Sequence, residues 1–261
     1  MEYGYLEEYY NSRDENARLL SRHGQVEYLT TMRYIDAYVQ PHSRILEVGA
    51  GTGRYSLALA RAGHHVTAVE LVQHNIDVFR SQMLPGDDVG LYQGNALDLS
   101  RFDADSFDAV LVLGPLYHLY SDSDKCTALN EAKRVVKPEG VIFAAYCMNE
   151  PTIIQDAFGS DGAHMLFYLS HGMLTKDFHC LSTPADLFEL VRVEDIDRLN
   201  TLCGLHREKL VATDLFSCYI SDRIDSWKDE VFDAYLRYHF TICERSDLIG
   251  LSNHTLDILR K

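Results

Sequence analysis

Residues 44–53 read RILEVGAGTG, in which an apolar stretch leads directly into three glycines on alternate positions, Gly49, Gly51 and Gly53. Glycine has no Cβ, so a turn of this kind lets the backbone pass close to a ligand. A helix that begins after such a turn offers free N–H groups to polar or negatively charged ligand atoms. The stretch therefore predicts a strand, a ligand-binding turn and the start of a helix.

The register of these glycines argues against a dinucleotide site. The dinucleotide fingerprint G-x-G-x-x-G requires glycine at position 54 when it starts at Gly49, and at position 56 when it starts at Gly51. Those positions hold Arg54 and Ser56. A nicotinamide-dependent oxidoreductase is therefore disfavoured.

Strand and helix patterns alternate along most of the chain. Short apolar or β-branched runs alternate with stretches whose apolar residues recur at helical spacing, a pattern typical of a doubly wound α/β sheet. Strands are predicted at 44–49, 65–70, 90–95, 107–113, 141–147, 206–214 and 254–260, and helices at 29–39, 55–62, 73–83, 129–136, 194–203 and 226–243. The sequence therefore predicts a seven-stranded sheet.

Charge and hydropathy exclude several classes of function. There are 24 basic and 39 acidic residues, a net charge of −15, and such a protein repels nucleic-acid phosphates. The longest strictly apolar run, 141–148, is far shorter than the roughly 20 residues that span a bilayer. The first residues are acidic and show no signal-peptide pattern. We expect a cytoplasmic protein that binds neither nucleic acid nor membrane.

The cysteines and histidines do not predict a metal site. The six cysteines lack the close pairing that zinc sites use, and are expected to be reduced thiols. His164, His171 and His179 are too far apart in sequence to suggest a shared ion. No metal is therefore expected.

Residues 47–53 resemble motif I, E/D-x-G-x-G-x-G, of the class I S-adenosylmethionine-dependent methyltransferases, and further parts of that family pattern follow in order. Matching segments are Glu70 at the end of the second strand, 94–97 after the third, 107–118 around the fourth, and 131–140 before the fifth. The resemblance is close over residues 40–147 and looser over 190–261. It implies the Rossmann-like fold of this family and S-adenosylmethionine as cofactor, with S-adenosylhomocysteine as product.

The resemblance also implies a division of labour along one domain, 1–261. Residues 1–40 would form a helical lid, 41–147 the cofactor-binding core, 148–190 a cap inserted after strand five, and 191–261 the C-terminal part of the sheet. Acidic residues outnumber basic ones in the cap, which favours a neutral or cationic acceptor. Oligomeric state is not predicted.

Specific residues can be assigned by position in the family pattern. Glu47 would either contact the methionine end of the cofactor through water or orient the turn, Glu70 would hold the ribose hydroxyls, and Asn95 would lie against the adenine. The full set of predicted cofactor-binding residues is Glu47, Gly49, Ala50, Gly51, Gly53, Glu70, Leu71, Asn95, Ala96, Leu97, Leu113 and Gly114. Lid contacts are predicted from Arg22 and His23, with a solvated helix face as the alternative.

Tyr117 and His118 follow the fourth strand, where the reactive methyl group should point. His118 is either a general base or a packed loop histidine. The loop reads Gly-Pro-Leu-Tyr at 114–117 and lacks the Asn/Asp-Pro-Pro-Tyr/Phe motif of enzymes that methylate nucleobase or glutamine amides. We therefore expect methyl transfer to oxygen, nitrogen or carbon of a small molecule. An RNA or protein methyltransferase and a non-catalytic cofactor-binding scaffold are the alternatives.

Overall fold

A computed structural model describes residues 4–11, 19–159 and 162–261. Its strands are β1 Arg44–Val48, β2 His65–Glu70, β3 Val89–Gln93, β4 Phe107–Val112, β5 Val136–Met148, β6 Leu190–Val191, β7 His206–Ala212 and β8 His254–Arg260. They form one central sheet in the order β3-β2-β1-β4-β5-β8-β7, with the short strand β6 paired to β5. Among the described strands, every pairing is parallel except those of β8 with β5 and β7.

Helices cover both faces of this sheet. The described helices are α1 Gly4–Asn11, α2 Arg22–Tyr38, α3 Arg54–Arg61, α4 Gln73–Gln82, α5 Asp122–Val135, α6 Asn149–Thr152, α7 Ala163–Ser170, α8 Val193–Cys203, α9 Ser221–Ser226 and α10 Asp229–Ile242. Successive side chains of a strand point to opposite faces, so Val110 packs in the core on one face, with α5 and α8, whereas Leu111 packs on the other, with α2 and α3. The predicted doubly wound architecture is confirmed.

Local chemistry accounts for several helix boundaries. Ser21 precedes α2 and its hydroxyl accepts a hydrogen bond from the Gly24 N–H at 3.1 Å, and Ser121 does the same for Asp124 at 3.0 Å before α5. Such N-caps satisfy backbone donors that have no partner within the helix. Helix α2 ends at Tyr38, shortly before Pro41, because the residue before a proline avoids the helical conformation.

The predicted strands agree with the observed ones to within two residues at each end, except at the start of the fifth strand and at β6. Residues 137–140, predicted to precede the fifth strand, lie inside β5, whose pairing with β4 changes register between Phe107 and Ala109, so the strand accommodates the extra residues as an irregularity. The two-residue strand β6 was not predicted, because a run that short carries no periodicity. The last strand has the predicted bounds, 254–260.

The segment predicted as an irregular cap contains α6, a π-helical turn at Ile153–Ala157, and α7. Helix α7 buries Met165 but leaves Leu166, Phe167 and Leu169 at least half exposed. Its apolar residues therefore lie all around the helix, so no amphipathic stripe predicted it. Within the described residues, no helix is both long enough and apolar enough to cross a bilayer. All six cysteines are free thiols.

Candidate active site

A large cavity, called here the main cavity, lies at the carboxyl ends of the parallel strands, where open α/β sheets bind ligands. It extends from the glycine turn after β1 to the start of β8. Its lining is Leu6, Tyr10, Leu19, Glu27, Thr31, Glu47, Gly49, Ala50, Gly51, Thr52, Arg54, Tyr55, Glu70, Leu71, Val72, Asn75, Gly94, Asn95, Ala96, Leu113, Gly114, Pro115, Tyr117, His118, Leu119, Ala145, Thr213, His254, Thr255 and Leu256.

The three glycines of the turn have different roles. All three have positive φ, +75° at Gly49, +54° at Gly51 and +89° at Gly53, a region that L side chains rarely adopt. A Cβ at Gly49 would overlap Pro115, and one at Gly53 would overlap the Phe79 ring, whereas one at Gly51 would meet no protein atom. Gly51 is therefore the glycine whose open face belongs to the cavity.

Glu70 links this turn to the end of β2. Its carboxylate accepts hydrogen bonds from the N–H of Gly51 at 2.8 Å and of Val72 at 2.9 Å, and from the Asn75 side chain at 3.3 Å. Burial raises the pKa of Glu70, and these three donors partly offset that effect. The acid therefore holds the turn in place besides lining the cavity.

Glu47, at the end of β1, is almost completely buried and accepts a hydrogen bond from the Ser56 hydroxyl. Desolvation raises its pKa to about 8, with a further contribution from the nearby charge of Glu70. Glu47 is consequently protonated at neutral pH. The neutral carboxyl group of Glu47 therefore lies near the carboxyl group of Glu70.

Arg54, which the sequence analysis did not select, also lines the main cavity. Its guanidinium carbon lies 4.4 Å from the centroid of the Tyr28 ring, and its Nε is buried with no hydrogen-bond partner among the described residues. A buried cationic donor of this kind suits an anionic group of a ligand. The sequence signal that could have identified Arg54 is its position directly after Gly53, at the first residue of α3.

Tyr117 and His118 lie in a 3-10 turn, Pro115–His118, and both line the cavity. The Nδ1–H of His118 donates to the Leu187 carbonyl at 3.0 Å, so its Nε2 accepts from the Tyr10 hydroxyl at 2.8 Å. Burial lowers the pKa of His118 to about 4. The imidazole is therefore neutral at physiological pH, and its hydrogen bond from Tyr10 connects the loop after β4 to helix α1.

Most of the remaining predicted residues also line the cavity: Ala50, Leu71, Asn95, Ala96, Leu113 and Gly114. Two do not. Gly53 packs against Phe79, and Leu97 packs against the hydrophobic core beside α5. Leu97 is directed away because its backbone N–H closes a turn onto the Asn95 side chain at 3.0 Å.

Arg22 and His23, the predicted lid contacts, do not line the main cavity. Arg22 pairs with Asp229 at 2.5 Å and His23 with Asp225 at 2.8 Å, so these side chains join the start of α2 to α9 and α10. Their place at the first turn of α2 directs them away from the main cavity. Residues 12–18, also part of the predicted lid, lie outside the described residues. Helix α1 places Leu6 and Tyr10 in the cavity wall.

At the other end of the main cavity, near the start of β8, lies a cluster that was not predicted from the sequence: Glu27, Asp214 and His254. One side-chain atom of each residue, a carboxylate oxygen or an imidazole nitrogen, lies within 4.8 Å of the corresponding atoms of the other two. Burial lowers the pKa of His254, but the charges of Glu27 and Asp214 outweigh it and raise the pKa well above its ordinary value. The cluster therefore holds an imidazolium between two acids.

Comparison with known proteins agrees with this geometry. A family model described as a methyltransferase domain matches residues 46–144. The ubiquinone biosynthesis O-methyltransferase of Methylocella silvestris is 31% identical over 182 residues, which cover 68% of this chain and 67% of that protein. The chain belongs to the class I S-adenosylmethionine-dependent methyltransferases. The predicted family, fold and cofactor are thus confirmed.

Other similar proteins extend this result. The demethylmenaquinone methyltransferase of Clavibacter sepedonicus is 39% identical over 99 residues, 38% of this methyltransferase and 39% of that protein. The chain thus spans between two fifths and two thirds of the length of these two curated relatives. A solved S-adenosylmethionine-dependent methyltransferase of Thermotoga maritima is 18% identical, covers 99% of both chains and has a TM-score of 0.59, which supports the fold.

Proposed function

We propose that this methyltransferase transfers the methyl group of S-adenosylmethionine to a hydroxyl oxygen of a small molecule. The observation that carries the proposal is one continuous cavity that joins the glycine turn to a polar, acidic end at Glu27, Thr31, Thr213 and His254. The two relatives described above are a ubiquinone biosynthesis O-methyltransferase and a demethylmenaquinone methyltransferase. These names support a small-molecule acceptor, and the first of them supports oxygen.

The residues around the glycine turn fit the cofactor. The open face of Gly51 permits close approach, and the Glu70 carboxylate provides acceptors for the ribose hydroxyls. Asn95 and Ala96 would lie against the adenine. Arg54 carries a buried donor suited to the cofactor's carboxylate. These assignments follow from the donor and acceptor character of each group.

The chemistry expected here is an in-line displacement, in which the bound sulfonium supplies the methyl group and sulfur is the leaving atom. The protein's main contribution is to hold the acceptor oxygen in line, since alignment alone supplies much of the rate enhancement. Closure of the cavity by α1 excludes water from this reaction. His118 is a weak base with its Nε2 already engaged by Tyr10, so we assign it to that closure rather than to proton removal.

Neutral or cationic acceptors are favoured over anionic ones. Acidic residues outnumber basic ones in the segment 148–190, which gives this segment an excess of negative charge. An anionic acceptor would be repelled there.

Two measurements test the proposed function. Calorimetric titration should show micromolar binding of S-adenosylhomocysteine and none of NAD. The protein is then incubated with S-adenosylmethionine labelled in the methyl group and, separately, catechol, tyramine, bulk tRNA and bulk protein. Label in the phenolic hydroxyl supports the proposal. Label confined to tRNA or protein, or tight product binding without any transfer, would replace it with a macromolecular methyltransferase or a scaffold.

A further inference from the structure

Two hydrogen-bonding groups at the proposed acceptor end have no protein partner. Thr31 of α2 and His254 of β8 both line the main cavity there. Among the described residues, none hydrogen-bonds to the Thr31 hydroxyl or to the Nε2 of His254. Thr31 is only 3% exposed, and the His254 side chain is 16% exposed. Polar groups this deeply buried normally have a hydrogen-bond partner, so a bound molecule should supply one here.

The other polar atoms of His254 are engaged by the protein. Its backbone N–H donates to one oxygen of Asp214 at 3.0 Å, and its Nδ1–H donates to the other oxygen at 2.7 Å. Its carbonyl oxygen accepts from the Ser252 hydroxyl at 2.6 Å and from the Thr213 N–H at 3.0 Å. Nε2 is therefore the polar atom of His254 that a ligand can reach.

The two sides of the His254 ring border different cavities. A second, smaller cavity, called here the side cavity, is lined by His23, Gly24, Glu27, Asp214, Ser217, Cys218, Ser221, Asn253 and His254. The Oδ2 of Asp214 and the Nδ2 of Asn253 lie 2.7 and 3.3 Å from Nδ1, and these two residues line the side cavity but not the main one. The nearest oxygen of Glu27 also approaches Nδ1, at 3.5 Å. The Nδ1 side of the ring thus faces the side cavity, which leaves the opposite side, with Nε2, to line the main cavity.

Thr31 differs from its neighbour Thr30 in what its hydroxyl binds. Thr30 is completely buried, and its hydroxyl donates to the Val26 carbonyl one turn earlier at 2.6 Å, as hydroxyls within helices often do. Thr30 does not line the main cavity. The Thr31 hydroxyl makes no such bond among the described residues and lies in the cavity wall. It is therefore available to a ligand.

We propose that the Nε2 of His254 and the hydroxyl of Thr31 bind the methyl acceptor through its hydroxyl groups, an inference that rests on the proposed function. A hydroxyl both donates and accepts hydrogen bonds, so it pairs with a threonine hydroxyl and with an imidazole nitrogen whether or not that nitrogen carries a proton. Both are positioning residues, which hold the acceptor oxygen in line with the methyl group. The acceptor class that follows is a neutral alcohol or phenol.

The first test compares binding of catechol with that of 1,2-difluorobenzene, which has a similar shape but no hydroxyl, to the complex with S-adenosylhomocysteine. His254→Asn keeps a donor for Asp214 near the position of Nδ1 and removes Nε2, and Thr31→Val removes only the hydroxyl. Each should weaken catechol binding about 3- to 10-fold, the value of one hydrogen bond, and leave difluorobenzene binding unchanged. Thr30→Val is the matched control and should leave both unchanged. NMR titration measures these affinities.

The second test is turnover with catechol. Both variants should raise KM for catechol by the same factor, with KM for S-adenosylmethionine kept within about twofold, since only acceptor binding is lost. His254→Gln, whose amide nitrogen lies near the position of Nε2, should recover part of the catechol affinity. Unchanged catechol affinity in either variant, equal weakening of catechol and difluorobenzene, or absence of saturable catechol binding by the wild type would each overturn the inference. Failure of the wild type to bind S-adenosylhomocysteine would instead reject the proposed function. Catechol binding that depends on these two residues, without any methyl transfer, would support the inference and reject that function.

Discussion

At the scale of single residues, the motif of alternating glycines contains two kinds of constraint. Gly49 and Gly53 are required because a side chain would overlap Pro115 or Phe79, so they serve the packing of the turn against the next elements. Gly51 faces open space, and its N–H donates to Glu70. Identical residues two positions apart are thus constrained differently, two by packing against a neighbouring side chain and one that faces open space, which a motif alone does not reveal.

This division predicts different outcomes for two matched substitutions. Gly51→Ala places a methyl group in the cavity at a φ of +54°, which costs about 1 kcal/mol of conformational energy. We expect affinity for S-adenosylhomocysteine to fall at least tenfold with a small drop in Tm. Gly53→Ala overlaps a buried ring and should lower Tm considerably more. Calorimetry and thermal unfolding measure both; equal losses of affinity and stability in the two variants would contradict the assignment.

At the scale of elements, the antiparallel pair β7 and β8 is joined by a buried ionic network. Asp257 of β8 is completely buried and accepts hydrogen bonds from Arg207 Nε at 2.6 Å, Arg207 Nη2 at 2.8 Å and the Asn200 side chain of α8 at 2.7 Å. Burial raises the pKa of Asp257, and Arg207 works against that effect. The network fixes β8 against both its neighbouring strand and the covering helix.

Removing the arginine should therefore destabilise the fold. Arg207→Met leaves the Asp257 carboxylate buried without its cation, which typically costs about 3 to 5 kcal/mol in the free energy of unfolding. Arg245→Met is the control, because its ion pair with Asp247 is exposed and such pairs contribute little. Urea unfolding of the two variants gives the comparison. A change for Arg207→Met no larger than that of the control would show that the network does not stabilise the protein.

At the scale of the whole molecule, the main cavity is covered by contacts between segments far apart in the chain. Tyr10 of α1 donates to His118 after β4, and Tyr9 packs edge-on against Phe188 with ring centroids 5.9 Å apart. His118 in turn donates to the carbonyl of Leu187. The N-terminal helix, the loop after β4 and the segment before β6 thus meet over the main cavity.

If α1 must move for the product to leave, its contact with His118 should set the rate of release. Tyr10→Phe keeps the ring and removes a hydrogen bond worth about 1 kcal/mol, so dissociation of S-adenosylhomocysteine should be about fivefold faster. Tyr238→Phe, at an exposed position of α10, should leave the rate unchanged. Stopped-flow displacement measures both rates. Unchanged release from Tyr10→Phe would mean that this contact does not restrain the exit of the product.

The sequence by itself determined the glycine turn, the order of strands and helices, the family and the cofactor. Each of these depends on residues that are close together in the chain, as in residues 44–53, where turn chemistry and hydrophobic pattern agree. Arg22 and Leu97, which were predicted to contact the cofactor, do not line the main cavity: Arg22 pairs with Asp229, and the Leu97 N–H bonds the Asn95 side chain. Tertiary structure alone decided the proposed acceptor end. Strand β8 inserts antiparallel between β5 and β7 and thereby brings His254 beside Asp214 and next to Glu27 of α2. No local pattern encodes that meeting, because it arises from strand order and from packing of distant segments.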